Sequence, residues 1–312
     1  MNLSSTTEQM ARDIVDAHRA TLALPVAAGA EPATSASDDP VFTAALQACH
    51  ALGFIPADAL CVARAWATRS RRTGQFDPTA WPDEPADFHI APHPRERAYA
   101  PCPRAIGLYA VMPDAAWTVR MARAGVPTVQ LRFKSGDARV ISAEVRAAVE
   151  GVRGTGACLY INDHWEAAIE ADAHGVHLGQ EDLQAMTPEG LAAIRDAGLR
   201  LGLSTHGYAE MLIAERHSPS YIAMGAVYPT TLKQMATAPQ GTGRLRVYAR
   251  LLRDVQHMAI GGIDLRNLPE VLAAGVRNVG VVRALMAADD LEAAVAKWTA
   301  ALATGGPGAT PG

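Results

Sequence analysis

From residue 106 onward the chain repeats one pattern: a short run rich in β-branched and aromatic residues, then an Ala-rich segment with apolar residues at helical spacing. Strands are predicted at 106–112, 128–133, 158–163, 175–179, 200–206, 221–228, 257–263 and 278–285. Helices are predicted at 115–124, 138–152, 187–197, 209–217, 244–254, 268–274 and 291–303, with Gly125, Gly198 and Gly275 as C-terminal stops. Eight strands alternating with helical segments favour an α/β fold with a parallel sheet closed into a (β/α)8 TIM barrel. The 106–304 span lies at the low end of the roughly 200–400 residues such barrels use. An open doubly wound sheet would usually carry a Gly-rich dinucleotide turn after its first strand, and Val111-Met112-Pro113-Asp114 is not one.

The remaining sequence sorts into an N-terminal extension (1–104), the barrel (105–304) and a low-complexity tail (305–312) expected to be disordered. In the extension, 42–69 is helical in pattern and broken near Gly53-Phe54-Ile55-Pro56. The Ala/Gly/Pro/Ser-rich 25–40 and the proline-rich 77–103 predict linkers or extended coil. No catalytic constellation lies there, so deleting residues 1–100 is expected to leave measurable activity or, if 42–69 packs under the N-terminal face of the barrel, to lower solubility and melting temperature instead.

Composition narrows the function. A chain of 312 residues with 49% hydrophobic side chains can bury a substantial core, but its net charge of −4 gives no overall basic field. No nucleic-acid partner is expected, and anions must be bound by local cations. No window reaches the ~20 apolar residues of a membrane helix, and 1–9 lacks an apolar signal core, so the expected location is cytoplasmic with no membrane partner. Cys49, Cys61, Cys102 and Cys158 form no CxxC pair and read as reduced thiols.

Polar motifs stand at the C-terminal ends of successive predicted strands, where such barrels keep their chemistry. Gln130, Arg132 and Lys134, at spacing two, share one face and make either a pyrophosphate clamp or solvated rim charges. Asn162 and Asp163 end the third strand and Asp182 follows the fourth. The two carboxylates suit a hard divalent cation such as Mg2+, or serve as helix N-caps, as Glu181 also could. His177 lies between apolar neighbours and reads as a satisfied barrel histidine, whereas Ser204 and His206 share the functional face of strand five. Thr230-Thr231-Leu232-Lys233 opens a polar loop long enough to be a lid. Gly261-Gly262, with the end of strand eight at Val281-Val282-Arg283, forms either a phosphate-binding corner or a turn needing positive φ.

The order and spacing of these motifs resemble the thiamine phosphate synthase family over about residues 106–303. The resemblance implies a magnesium-dependent transferase that joins a pyrimidine methyl pyrophosphate to a thiazole phosphate in thiamine biosynthesis. Its small-molecule substrates would be held by Gln130, Arg132, Lys134 and Asn162 on the pyrophosphate and by Ser204 on the pyrimidine. Thr230, Thr231, Leu232 and Lys233 would form the thiazole loop, and Gly261, Gly262, Val282 and Arg283 the second phosphate site. Asp163 and Asp182 would be the metal ligands, and Arg132, Lys134, Ser204 and Lys233 the catalytic set. Three positions depart from the family: Phe133 replaces a common acid, Leu232 a threonine, and Val281-Val282-Arg283 a Val-Ser or Ile-Ser pair. A thiazole tautomerase of the same superfamily and a non-catalytic phosphate-ligand barrel are the alternative readings, and a homo-oligomer is compatible with either. Within the extension, Ala51-Leu52-Gly53-Phe54 and Asp58-Ala59-Leu60 resemble terminal helices of a pyrimidine phosphate kinase, but no phosphate loop accompanies them.

Overall fold

The structure, a computed structural model, describes residues 3–26, 35, 37–103, 105–230 and 237–304. The tail at 305–312, and with it the expectation of disorder, lies outside the described residues. Three helices come first: α1 (Leu3–Leu22), α2 (Pro40–Ala51) and α3 (Pro56–Thr73). Asp39 starts α2 by accepting the N–H groups of Val41 and Phe42 at 2.9 and 3.2 Å, with Pro40 preset for the first turn. The predicted break between α2 and α3 is present. Gly53 has φ 76°, and a Cβ there would stand 2.2 Å from the carbonyl oxygen of Leu24. Helix α1 is an addition to the sequence reading. Its buried stripe of Ala11, Ile14, Val15, His18 and Leu22 is spaced for a helix but sits in a largely polar segment.

The barrel closes as expected, with β1 (Leu108–Met112), β2 (Thr128–Leu131), β3 (Cys158–Asn162), β4 (Gly175–Leu178), β5 (Arg200–Thr205), β6 (Tyr221–Met224), β7 (His257–Ile260) and β8 (Val279–Val281) in order. All pairs are parallel, and β1 pairs with both β2 and β8. Helices α4 (Ala115–Arg123), α5 (Ala138–Val152), α6 (Trp165–Glu170), α7 (Gln180–Ala185), α8 (Pro188–Asp196), α9 (Tyr208–Arg216) and α10 (Gly241–Leu251) follow the first six strands. The wall ends with α11 (Leu268–Ala273), α12 (Arg283–Met286) and α13 (Leu291–Thr304). The period-two alternation divides the strands cleanly. Leu131, Ile161, Leu203 and Met224 join the layer under the helices, while Tyr109, Tyr160, Tyr221 and Met258 fill the interior.

Residues 77–103 are coil with one 3-10 turn at Pro85–Phe88, but they are not a free linker. The Trp81 indole N–H donates to the Tyr208 hydroxyl at 2.9 Å, Phe88 stacks on the same ring at 5.3 Å, and the Tyr99 hydroxyl donates to the Leu191 carbonyl at 2.8 Å. Arg95 pairs with buried Glu215. The extension is therefore packed against the barrel. Ile14, Trp66, Trp81 and Phe88 share one continuous apolar core with Tyr208 and Tyr248 of the barrel, and removing them would leave those rings in water.

Two buried charges fix this docking. Arg244 of α10, 2% exposed, donates to the carbonyl oxygens of Leu22 and Leu52 at 3.0 and 2.9 Å, and its guanidinium lies 3.7 Å from the Phe54 ring centroid. It thereby binds the C-terminal ends of α1 and α2, where unpaired carbonyls favour a cation. In the other direction, Asp58 of α3 accepts the N–H of Ala209 at 2.8 Å in the first turn of α9, a helix whose own N-cap, Gly207, offers no side chain. A Cβ at Gly207 would stand 2.1 Å from the Asp58 carboxylate.

Burial pushes Asp58 up to about 6, against the backbone N–H groups of Ala209 and Tyr208 and the Arg244 charge, which lower it, and with Glu210 adding to the rise. The folded state thus holds this proton more tightly than the unfolded chain. The stability Asp58 contributes is fully present below about pH 4 and is lost as pH rises through about 6. Asp58→Asn keeps an oxygen for the Ala209 N–H and should be more stable than wild type at pH 7 by on the order of 2 kcal/mol, the gap closing by pH 4. Urea unfolding of both proteins at several pH values measures this, and a gap that does not change with pH would contradict it.

Candidate active site

The strand ends open into a cavity of about 930 Å³ at the C-terminal mouth of the barrel. It gathers Gln130, Arg132 and Lys134 from β2 and its loop, and Asn162, Asp163 and Asp182 from the next two βα connections. Ser204, His206 and Thr230 line it from β5 and β6, and Gly261, Gly262, Val282 and Arg283 from β7 and β8. Thr231, Leu232 and Lys233 lie outside the described residues. Every predicted site residue that the structure describes therefore reaches one space.

Several predicted strands stop short of their expected ends. β2 ends at Leu131, β6 at Met224, and β8 at Val281 with α12 beginning at Arg283. Strand pairing ceases where the chain splays to form the cavity wall, and that leaves Arg132, Lys134 and Arg283 exposed at its rim.

The strongest local charge arrangement joins three side chains. The Lys134 ammonium donates to Asp163 at 2.5 Å, and Asp163 is in hydrogen-bond contact with Asp182. Burial favours the neutral form of Asp163, but the Lys134 hydrogen bond and charge outweigh it and hold the carboxyl below the usual range. Asp182 moves the other way, raised by burial and then by the adjacent Asp163 charge. Neither acid is a helix N-cap: that position belongs to His164 for α6 and Gly179 for α7. Asp163 also sits at φ 64°, a conformation uncommon outside glycine. Asp163 thus caps no helix, while Asp182, in the first turn of α7, reaches back to accept the Gly179 N–H. Among the described residues no cluster of three or more His, Cys, Asp or Glu side chains could hold a metal. The touching pair still fits a hard cation, because magnesium shares its shell with water and substrate phosphates.

Across the cavity, Gly261 and Gly262 have φ of 102° and 68°. A Cβ at Gly262 would stand 2.6 Å from the Pro229 carbonyl oxygen, and one at Gly261 2.6 Å from Ala226. Both the positive φ and the close approach require glycine, and the result is a backbone surface that an anion can approach. Asn267 anchors the turn, donating to the Gly262 carbonyl at 3.0 Å.

Two histidines line the cavity. His206 is held by Glu210, its Nδ1 at 2.7 Å from the carboxylate and its backbone N–H at 2.8 Å. His177 is satisfied as expected, with Nδ1 2.7 Å from the Tyr221 hydroxyl and Nε2 2.8 Å from Ser204 Oγ. The sequence reading passed over its neighbours. Gln130 Nε2 donates to the Tyr109 hydroxyl at 3.0 Å, and Tyr109 and Tyr221 share a hydrogen bond at 2.8 Å. The inward positions of β1 and β6 signalled both tyrosines, but not their partners on other strands.

A family model described as thiamine monophosphate synthase matches residues 108–285, the whole of the barrel from β1 to α12. The chain belongs to the thiamine monophosphate synthase family. It is a transferase of thiamine biosynthesis. Thiamine-phosphate synthase of Neisseria meningitidis serogroup A is 49% identical over 202 residues, 65% of this chain and 97% of that protein. Thiamine-phosphate synthase of Enterobacter sp. is 46% identical over 199 residues, 64% of this chain and 93% of that protein. Among solved structures, thiamine phosphate pyrophosphorylase from Pyrococcus furiosus superposes with a TM-score of 0.54 at 27% identity, covering 64% of this chain and 96% of that one. The family extends over the barrel, and the covered shares leave the N-terminal third as an addition to it.

Proposed function

We propose that this cavity joins 4-amino-2-methyl-5-pyrimidine methyl pyrophosphate to a thiazole phosphate. The thiazole nitrogen supplies the electron pair for a new C–N bond to the pyrimidine methylene carbon. The C–O bond to pyrophosphate breaks, and its electrons leave on the pyrophosphate oxygen. The observation that carries the reading is the Lys134–Asp163–Asp182 contact facing the Gly261-Gly262 corner across one cavity, which offers separate places for a pyrophosphate and a monophosphate.

In this reading Arg132 and Lys134 receive the charge of the departing pyrophosphate, and Gln130 and Asn162 orient it. Because bonding to the leaving group is largely broken before attack, catalysis is mainly positioning and charge stabilisation in a site shielded by the barrel wall. Ser204 meets the pyrimidine. Gly261, Gly262, Val282 and Arg283 hold the thiazole phosphate, joined by Thr230 and, on the family resemblance, by Thr231 and Leu232, while Lys233 on the same resemblance takes up leaving-group charge with Arg132 and Lys134. Asp163 and Asp182 would hold magnesium, which when bound neutralises phosphate charge. We assign the enzyme to the cytoplasm, a reading supported by four free cysteines. Among the described residues no helix is long and apolar enough to cross a membrane.

Asp163→Ala and Asp182→Ala should each lower turnover at least a hundred-fold at limiting magnesium while far-UV circular dichroism stays unchanged. Pyrophosphate release in a coupled assay reports this, and activity within a few-fold of wild type for either variant removes that residue from the metal site.

Arg283 stands at the rim where the family carries a serine. A guanidinium engages phosphate through paired donors, and a hydrogen bond of this charged kind contributes roughly 1.5–3 kcal/mol. Arg283→Ala should therefore raise the KM for thiazole phosphate on the order of ten-fold and leave that for the pyrimidine pyrophosphate unchanged. Arg283→Ser should be milder. Equal thiazole KM values in all three proteins would make Arg283 a surface charge.

A further inference from the structure

Beneath the cavity, five side chains from five strands form one continuous hydrogen-bonded line: Gln130 (β2), Tyr109 (β1), Tyr221 (β6), His177 (β4) and Ser204 (β5). The successive separations are 3.0, 2.8, 2.7 and 2.8 Å. Four of the members are nearly inaccessible, with Gln130 at 4%, Tyr109 at 1%, Tyr221 at 0% and His177 at 7% exposure. A buried polar hydrogen needs an acceptor, so the donors in such a line cannot be assigned independently.

The amide end sets the direction. Gln130 presents Nε2 to Tyr109, and an amide nitrogen only donates, so the Tyr109 oxygen accepts. The proton of Tyr109 then goes to its other neighbour, Tyr221. Tyr221, having accepted, gives its own proton to His177 Nδ1. His177 with Nδ1 as acceptor carries its proton on Nε2 and donates it to Ser204 Oγ. Ser204 has then accepted within the protein, and its hydroxyl proton turns to the cavity that Ser204 lines. Burial raises both phenols far above the usual tyrosine range, so each keeps the proton this chain of donors uses.

We propose that Tyr109 and Tyr221 are positioning residues that act through His177, holding it as the Nε2–H tautomer so that Ser204 meets the substrate as a hydrogen-bond donor. The substrate group that takes the Ser204 proton is accordingly an acceptor, such as a pyrimidine ring nitrogen. This rests on the assignment of Ser204 to the pyrimidine. The tautomer of His177 is a property of the protein alone and can be measured without substrate.

The test is 15N NMR of the full chain labelled at histidine, with His177→Gln supplying the assignment. The expected spectrum at neutral pH shows a pyrrole-type Nε2 and a pyridine-type Nδ1 for His177. An Nδ1–H tautomer or a doubly protonated ring overturns the relay, whatever the kinetics. Tyr221→Phe should shift His177 towards a mixture of tautomers. It should also raise the KM for the pyrimidine pyrophosphate by roughly ten-fold, with the KM for thiazole phosphate within two-fold of wild type. Both KM values unchanged in Tyr221→Phe would show that Tyr221 does not position Ser204. Ser204→Ala separates the two claims: an unchanged pyrimidine KM there refutes the placement of Ser204 at the ring, while the NMR result still decides the direction of the relay.

Discussion

A barrel of eight short strands has to fill its own interior, and here three glycines determine how. A Cβ at Gly202 would lie 2.2 Å from the Tyr221 ring, one at Gly175 2.6 Å from Tyr160, and one at Gly280 2.6 Å from Met258. Each glycine leaves the room that a large side chain on a neighbouring or opposing strand takes up. Tyr109, Tyr160 and Tyr221 consequently fill the lower interior, and Tyr109 lines the floor of the cavity. Gln130, His177 and Ser204 rest on that floor. The binding surface is therefore the upper side of the packing that closes the barrel.

Above the floor the controlling physics is electrostatic and local. The chain as a whole is mildly acidic, yet one wall of the cavity carries Arg132 and Lys134, and Lys134 is drawn onto a pair of touching carboxylates. One carboxyl is lowered and the other raised, the split expected of two acids in contact. Among the described residues the opposite wall carries Asp264 and, at its rim, Arg283. Its glycines, Gly261 and Gly262, present bare backbone to the cavity.

Much of this was legible in the sequence. The strand-helix alternation is enough for the barrel, and period two within β2 puts Gln130, Arg132 and Lys134 on one side. Strand ends were less legible because β-type residues continue past the last ladder pair, as at Phe133 and Val227, where the chain has already turned to build the cavity. Partners across the interior, such as Tyr109 with Tyr221, depend on how the strands are staggered around the ring, and no local pattern encodes that. Prolines in 77–103 truly mark irregular backbone, but Trp81, Phe88 and Tyr99 within it were the sign that this coil is buried. The structure puts all three inside.

The docking of α1 to α3 has a further consequence for assembly. Tyr208 on α9 and Tyr248 on α10 present aromatic rings outward from the barrel, and both are sealed by chain from the extension. Those two helix faces are thus withdrawn from contact between copies. A symmetric oligomer of this chain, were one to form, would have to be built on another part of the barrel wall or on the extension itself.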